Sequence, residues 1–346
     1  MLNHQREVLD AILEAVREKY ADDIALMIVY GSAVNGTADE KSDLDILFIP
    51  KNRTGQNLAK TFILDGIGYD IWCGSWDTLR AMMWEDMRVA ILADSEPVYA
   101  ATDEDREKYE IMRTNARRRM EHPSTAHDYH PALEYVKKAK GYFGELCLGE
   151  TAAIGGVLME LVNAVCFVNR RYLKYGAKKI PDEIAALPSL PENFTENYAR
   201  AVRDPENAPS ICRDMIRATE DFIHARFAHF TGRKGLACWC AGMYEEISSH
   251  WNKIRRSCES GDPDGAFMAA CSLQQDLDYA RITIGRSFDL MCGWNPDDLD
   301  AFRRHCDAVE QDFITALGEN DVLIRYVSSA DELKHILMDA HDDTDD

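Results

Sequence analysis

Apolar residues in the N-terminal part of the chain follow first a helical and then a strand pattern. Residues 2–20 carry apolar side chains three and four positions apart, which predicts a helix. Two apolar runs, Ile24–Tyr30 and Ile46–Ile49, predict strands, and Asp65-Gly66 predicts the turn of a hairpin. The other predicted elements are hairpin strands at 61–64 and 67–72, a helix at 76–90 and a short strand at 96–99. Together they predict a mixed α/β domain over residues 1–104.

From Thr102 onward the pattern is helical, and this change predicts a domain boundary near residue 104. We expect a helical domain over residues 105–230 and a helical extension of unknown role over residues 231–346. The extension ends in an acidic tail, Asp342–Asp346, whose composition is typical of disorder. The predicted helices lie at 131–148, 151–175, 243–258, 266–291 and 297–317, and a helical hairpin is expected over residues 190–228. The expected fold class is therefore α+β, a mixed-sheet domain followed by all-α helical bundles.

The charge of the chain limits its partners. Its 346 residues include 60 acids against 39 lysines and arginines, a formal net charge of −21. Nucleic acids are bound through cationic surfaces, so this balance argues against DNA or RNA and favours a cationic or neutral small molecule. No apolar run approaches the ~18 residues of a membrane span, and the N-terminus is polar and helix-patterned rather than signal-like. We therefore expect no membrane partner and a cytoplasmic location.

Two acidic residues open the second predicted strand. Because side chains alternate along a strand, Asp43 and Asp45 point the same way while Leu44 points into the core. Two such carboxylates repel each other unless a cation lies between them. Oxygen ligands in this arrangement suit Mg²⁺, which usually takes further oxygens from a substrate phosphate.

A glycine and a serine end the first predicted strand, ten residues before the acids. Gly31 and Ser32 would bind phosphates through a tight turn, free backbone N–H groups and a hydroxyl, at the start of a short helix. The plain alternative is a solvated turn with scattered acids. Joining the two motifs between two apolar strands favours the functional interpretation.

The joined motif resembles the nucleotidyltransferase signature of the DNA polymerase β superfamily, which reads Gly-Ser, about ten residues, then Asp-x-Asp. Its wording, Gly31-Ser32 to Asp43-Leu44-Asp45, is especially similar to the small antibiotic adenylyltransferases of the kanamycin nucleotidyltransferase group. The resemblance implies transfer of a nucleoside monophosphate, AMP from ATP, to a hydroxyl with the help of two Mg²⁺ ions. It also implies a link to antibiotic resistance.

The resemblance implies a third carboxylate on the following strand. Asp70, flanked by Tyr69 and Ile71, fits the family's hydrophobic-acid-hydrophobic pattern. It would face the first two acids, hold the catalytic metal, and deprotonate or orient the attacking hydroxyl. Asp65 is the weaker candidate, because it lies at the turn.

A helix in the second domain carries another similarity to the kanamycin group. Its sequence Glu134-Tyr135-Val136-Lys137-Lys138 resembles the Glu-Tyr-x-x-Lys helix that opens the helical domain there. The resemblance implies that Glu134 is the general base on the acceptor hydroxyl and that Lys138 contacts phosphate. The alternative is a surface ion pair between these two residues, which share a helix face.

Some features depart from the kanamycin group or fall outside the resemblance. Asp-x-Asp replaces its Asp-x-Glu, and Asn35 stands where many small nucleotidyltransferases have arginine. Arg113 and the run Arg117–Arg119 form a basic cluster, for which a solvated face and the steering of a triphosphate are the two interpretations. The alternatives for residues 231–346 are a lid, a homodimer surface and an acidic wall for a cationic acceptor.

The sequence therefore predicts a metal-dependent nucleotidyltransferase that uses ATP or another nucleoside triphosphate. Its acceptor would be a hydroxyl on a small, cationic, aminoglycoside-like molecule. One alternative is a regulatory or antitoxin-like module that binds nucleotide or a partner protein without turnover. The other is an enzyme that modifies a protein hydroxyl.

Overall fold

A mixed five-stranded sheet lies at the centre of the N-terminal unit of the computed structural model, which describes residues 1–83, 88–230 and 240–339. The strands are β1 Ile24–Tyr30, β2 Asp45–Pro50, β3 Lys60–Leu64, β4 Ile67–Cys73 and β5 Glu96–Ala100. They occur in the order β3-β4-β2-β1-β5 across the sheet. β2 and β4 run parallel, whereas the other neighbouring pairs are antiparallel. The prediction of a mixed sheet is confirmed.

Helices cover both faces of this sheet. The helices of this part are α1 Asn3–Ala15, α2 Ser32–Asn35, α3 Arg53–Gln56, α4 Trp76–Met82, α5 Val89–Ala93 and α6 Asp103–Glu121. Helix α1 packs on one face, where Leu9 lies in the same cluster as Phe48 of β2. Helices α4 to α6 pack on the other face, where Leu47 lies in the same cluster as Tyr109. β1 is buried on both faces, which explains its continuous apolar run.

Two predictions for this region differ in part from the structure. The single helix expected at 76–90 is two helices, α4 and α5, and residues 84–87 lie outside the described part of the chain. In the arginine cluster of α6, Arg117 and Arg118 are exposed, as a solvated face would have them, but three of the arginines also bind backbone carbonyls. Arg113 donates to the carbonyl of Ser95, Arg117 to that of Ala93 and Arg119 to that of Met83. These hydrogen bonds satisfy carbonyls at or just beyond the ends of α4 and α5, a structural use of the charge.

Five helices complete the first compact unit, residues 1–226. They are α7 Tyr129–Cys147, α8 Ala153–Val168, α9 Ile180–Ala185, α10 Phe194–Arg203 and α11 Ala208–Phe227. The boundary expected near residue 104 falls inside this unit and stays a prediction.

Helix α8 is shorter than the helix predicted at 151–175. It ends at Val168, where the side chain of Asn169 donates to the carbonyls of Val165 and Ser189, both at 2.8 Å. Arg170 then takes a left-handed conformation with φ of 53°. Residues 169–179 therefore form an irregular connection, which contains one short 3₁₀ turn at Gly176–Lys179.

The second compact unit, residues 227–346, is helical. Its helices are α12 Met243–Glu259, α13 Pro263–Ile284, α14 Leu299–Glu319 and α15 Ala330–Asp339. Its core includes Trp251, Phe302 and Phe313. The helix predicted at 266–291 ends at Ile284, because Gly285 with φ of 78° caps it. The acidic tail at 342–346 lies outside the described residues.

The α+β fold class is confirmed, with a mixed sheet near the N-terminus and helices after it. Among the residues that the structure describes, no helix is both long and apolar enough to cross a membrane.

Candidate active site

Two of the predicted site residues, Asp45 and Asp70, come together where β1, β2 and β4 meet. Asp45 of β2 pairs with Tyr30 of the antiparallel strand β1. Ile46 of β2 pairs with Ile71 of the parallel strand β4, so the residues that precede them, Asp45 and Asp70, lie side by side. Because side chains two apart along a strand share a face, Asp45 and Asp70 lie on the face of the sheet that packs against α4 to α6. Leu44 is buried in the opposite cluster, as the alternation predicted.

The negative charges of these acids act on one another and on Tyr30. Burial, and to a smaller extent the charge of Asp43, raises the pKa of Asp45 to about 6. Burial, followed by the charges of Asp45, Asp70 and Asp43, raises the pKa of Tyr30 to about 12, although a hydrogen bond from Trp72 opposes this rise. Carboxylates from three sequence positions therefore create one region of negative potential. Of the three, Asp70 is the exposed one.

Gly31 makes a backbone approach that no other residue could make. Its φ is 70°, and a Cβ atom built on it would lie 2.1 Å from Oδ2 of Asp45. The turn after β1 is thus in direct contact with the carboxylate of Asp45, and only glycine fits there. Ser32 begins α2 at this turn, so both members of the predicted Gly-Ser pair lie next to the acids.

A glutamine of α1 holds the loop that carries Asp43. The side chain of Gln5 is fully buried, and its Nε2 donates to the carbonyl of Asp43 at 2.6 Å and to that of Ser42 at 3.4 Å. Its Oε1 accepts from the backbone of Leu2 at 2.9 Å, and His4 Nε2 lies 3.0 Å from the carbonyl of Ser42. Sequence reasoning missed this clamp, because Gln5 reads as one more polar position of an amphipathic helix.

A pocket of about 830 Å³ opens over these residues. It is lined by Gly31, Ser32, Asn35, Thr37, Asp39, Lys41, Ser42, Asp43, Asp45, Gly66, Ile67, Gly68, Lys174, Tyr175, Gly176 and Ala177. Its size lies in the range of small-molecule sites. Sequence reasoning missed its two lysines. The signal for Lys41 was its place inside the Gly-Ser to Asp-x-Asp loop, whereas Lys174 comes from the connection after α8 and had no local signal.

Glu134 and Lys138 lie on α7, outside the residues that line this pocket. Glu134 Oε1 is 3.6 Å from Nζ of Lys137, and both side chains are largely exposed. Nζ of Lys138 lies 5.3 Å from the ring centroid of Tyr135. The structure thus pairs Glu134 with a different lysine from the one expected, and their roles in catalysis stay predictions.

The chemistry of the pocket fits a divalent cation. Two carboxylates, one with a raised pKa, leave negative charge that a cation would neutralise. Within the described residues, no three acidic, histidine or cysteine side chains are already gathered as a metal cage. Mg²⁺ does not require such a cage, because it is usually held by one or two carboxylates together with substrate phosphates and water.

The raised pKa of Asp45 predicts a pH-dependent stability. Its pKa in the folded state, about 6, lies above the ordinary 3.8, so the folded protein holds this proton more tightly than the unfolded chain does. The resulting stabilisation is complete below the ordinary pKa and is lost as the pH rises through about 6. Without metal, Asp45→Asn should therefore melt higher than wild type at about pH 7.5, by a few degrees, and gain much less at about pH 4. Melting curves in EDTA measure this difference, and a gain independent of pH would contradict the assignment.

Residues 9–73 match the family model described as a nucleotidyltransferase domain. This segment contains Gly31, Ser32, Asp43, Asp45 and Asp70. The chain carries a nucleotidyltransferase domain. The prediction made from the Gly-Ser and Asp-x-Asp motifs is thereby confirmed at the level of the domain family.

Two known proteins resemble parts of the chain. A stretch of 67 residues is 37% identical to a protein of Methanocaldococcus jannaschii named "Putative protein adenylyltransferase MJ1305", and this match covers 19% of the chain and 44% of that protein. The crystal structure of a nucleotidyltransferase-like protein from Exiguobacterium sibiricum overlaps 63% of the chain and 75% of its own, with a TM-score of 0.37 and 10% identity. The second likeness is too distant to transfer a residue role.

Proposed function

We propose that this protein transfers AMP from ATP to a hydroxyl of an acceptor molecule. The observation that carries the proposal is the contact of Gly31 with Asp45, beside Asp70, inside the matched nucleotidyltransferase segment. The pocket that Gly31 and Ser32 line together with Asp43 and Asp45 leaves room for a phosphate group beside the acids. A protein that only bound nucleotide would have little reason to keep three repelling carboxylates there.

In this reaction, different residues of the chain would bind the metal ions and the phosphates. Asp43 and Asp45 would hold both Mg²⁺ ions, and Asp70 the one nearer the acceptor. When bound, these ions would neutralise the phosphates and the charge that develops on the attacking and leaving oxygens. Gly31 and Ser32 would bind and orient the phosphates at the turn.

Two residues are candidates for the base that takes the proton of the acceptor hydroxyl. Asp70 is exposed and adjacent to Asp45, which supports it, although neither Asp70 nor Glu134 is among the residues that line the pocket. Glu134 rests on the resemblance of its helix to the kanamycin group, and its side chain lies beside Lys137 outside the pocket lining. The position of Asp70 favours it over Glu134.

The acceptor we favour is a small cationic molecule of the aminoglycoside kind. The net charge of −21 and the acidic residue Asp39 in the pocket lining support a cationic group there. A protein hydroxyl is the second candidate, because the similar Methanocaldococcus protein is named a protein adenylyltransferase. That similarity is confined to 67 residues, 19% of the chain and 44% of the Methanocaldococcus protein.

The test is turnover with a panel of donors and acceptors. The protein is incubated with Mg²⁺, each of the four nucleoside triphosphates, and either aminoglycosides or protein acceptors, while pyrophosphate release and product mass are followed. A mass gain of one AMP on an aminoglycoside supports the first acceptor, and the same gain on a protein supports the second. Nucleotide binding without pyrophosphate release under any condition would favour the non-catalytic module.

MgATP is expected to raise the melting temperature of the protein, and ATP with EDTA to raise it much less. A ligand that binds only the folded state stabilises it, by about 2.7 kcal/mol at a hundred times its Kd. Here the metal would link Asp43 and Asp45 to the triphosphate, so removing the metal should remove most of the effect. Differential scanning fluorimetry measures both shifts. Equal shifts with and without metal would point to a nucleotide site elsewhere.

A further inference from the structure

We propose that Lys174, together with Lys41, binds the triphosphate of the nucleotide, so that the connection after α8 forms a phosphate-binding wall of the pocket. This inference rests on the proposed function and assigns its phosphate-binding cations. Lys174 and Lys41 both line the pocket that contains Asp43 and Asp45. They come from two distant parts of the chain, Lys41 from the loop between Ser32 and Asp43 and Lys174 from the connection after α8.

The backbone of Lys174 and Tyr175 is held in place by side chains of two other elements. The carboxylate of Glu183 on α9 accepts from the backbone N–H of Lys174 at 2.6 Å and from that of Tyr175 at 3.3 Å. The side chain of Asn35 on α2 donates to the carbonyl of Lys174 at 2.8 Å. Both peptide units of Lys174 are therefore fixed, one to the helical part and one to the turn beside the acids. An irregular solvent-exposed connection does not need such fixing, whereas a binding wall does.

The side chains of these lysines are not used for ion pairs. Within residues 1–83, 88–230 and 240–339, neither Lys41 nor Lys174 forms a salt bridge, although Asp39, Asp43 and Asp45 line the same pocket. The pocket thus contains both carboxylates and ammonium groups that form no ion pair with them, and Nζ of Lys174 lies 5.9 Å from the ring centroid of Tyr175. A polyphosphate that carries Mg²⁺ at one side has the complementary pattern, because its metal meets the carboxylates and its free oxygens meet the ammonium groups.

This pattern also explains Asn35, which stands where many small nucleotidyltransferases have arginine. Its amide is occupied in holding Lys174 and carries no charge itself. In this proposal the positive charge comes from Lys174, in the connection whose backbone Asn35 holds.

The test compares binding of ATP, ADP and AMP, each with Mg²⁺, by isothermal titration calorimetry. Lys174→Met should weaken ATP about 10- to 100-fold, the scale of a lost hydrogen bond to a charged group, and leave AMP unchanged. Lys174→Arg should restore most of the ATP affinity. The matched control is Lys51→Met, another exposed lysine that follows the far end of β2, roughly 20 Å along the strand from Asp45.

The possible outcomes separate this inference from the proposed function. If wild-type protein binds ATP and Lys174→Met binds it equally well, or loses AMP and ATP to the same degree, the assignment of Lys174 is wrong while the proposed function stands. If wild-type protein binds no nucleotide, the proposed function fails and this inference fails with it.

A second variant leaves Lys174 in place and tests whether the hydrogen bonds that hold its backbone matter for binding. Glu183→Ala removes the acceptor of two backbone N–H groups, so ATP should weaken several-fold while AMP does not, provided the melting curve shows a folded protein. Unchanged ATP affinity in a folded Glu183→Ala protein would overturn the claim that the position of Lys174 and Tyr175 matters.

Discussion

Replacing Asp45 with Asn is expected to lower the rate of nucleotide transfer at least ~10³-fold, the scale seen when one main electrostatic stabiliser is removed. The amide keeps the shape of the side chain but carries no negative charge for the metal, and Asp43→Asn should behave in the same way. Both variants should stay folded, because each relieves repulsion between the two acids. Pyrophosphate release with Mg²⁺, ATP and a competent acceptor measures the loss.

Asp65→Asn is the matched control for this experiment. Asp65 lies at the exposed β3–β4 turn with φ of 52°, a conformation that asparagine tolerates well. It should keep its activity, whereas Asp70→Asn should lose it, which also tests the choice between these two residues. Normal turnover in Asp43→Asn or Asp45→Asn would end the two-metal hypothesis.

Gly31→Ala is expected to lower transfer by about 10²-fold or more, although it removes no functional group. Its new Cβ atom would lie 2.1 Å from Oδ2 of Asp45, so the carboxylate or the turn must move. A displacement of about 1 Å in a catalytic site can cost this factor. The backbone at φ of 70° and ψ of −146° adds strain for any residue with a side chain, on the order of 1–3 kcal/mol of stability.

Gly261→Ala is the control for adding a methyl group at a glycine with positive φ where no collision follows. Gly261 has nearly the same φ, 71°, and nothing lies within 4 Å of a Cβ atom built on it. Its alanine variant should lose stability but not activity. Melting curves and transfer rates of the two variants are compared side by side, and similar activity in both would show that the contact between Gly31 and Asp45 does not matter for transfer.

The central strands and their acids could be predicted because local pattern determines them. β1 is a continuous apolar run since both its faces are covered, and alternation was enough to place Leu44 inside. Asp65-Gly66 indicated the hairpin correctly, as both residues have positive φ. The resulting register brings Asp70 beside Asp45, which the resemblance had only implied.

The rest of the site depends on contacts between distant positions. Asn35 and Lys174 are 139 residues apart, and no period in the sequence links them. The connection that carries Lys174 was predicted to be helical. The helix ends earlier, where the side chain of Asn169 donates hydrogen bonds to the carbonyls of Val165 and Ser189, and the second of these contacts lies 20 residues away. On α7 the helical spacing allows Glu134 to meet lysines at both i+3 and i+4, so spacing alone could not tell which one it contacts.

The hydrogen bonds of Gln5 bear on how this site could be moved to another protein. The segment that matches the nucleotidyltransferase family begins at residue 9, yet the carbonyls of Ser42 and Asp43 are held from the first turn of α1. A graft cut at the family boundary would leave those carbonyls without their buried donor and would free the loop that aims Asp43. The transplantable module therefore starts with the backbone of Leu2, which itself orients the amide of Gln5.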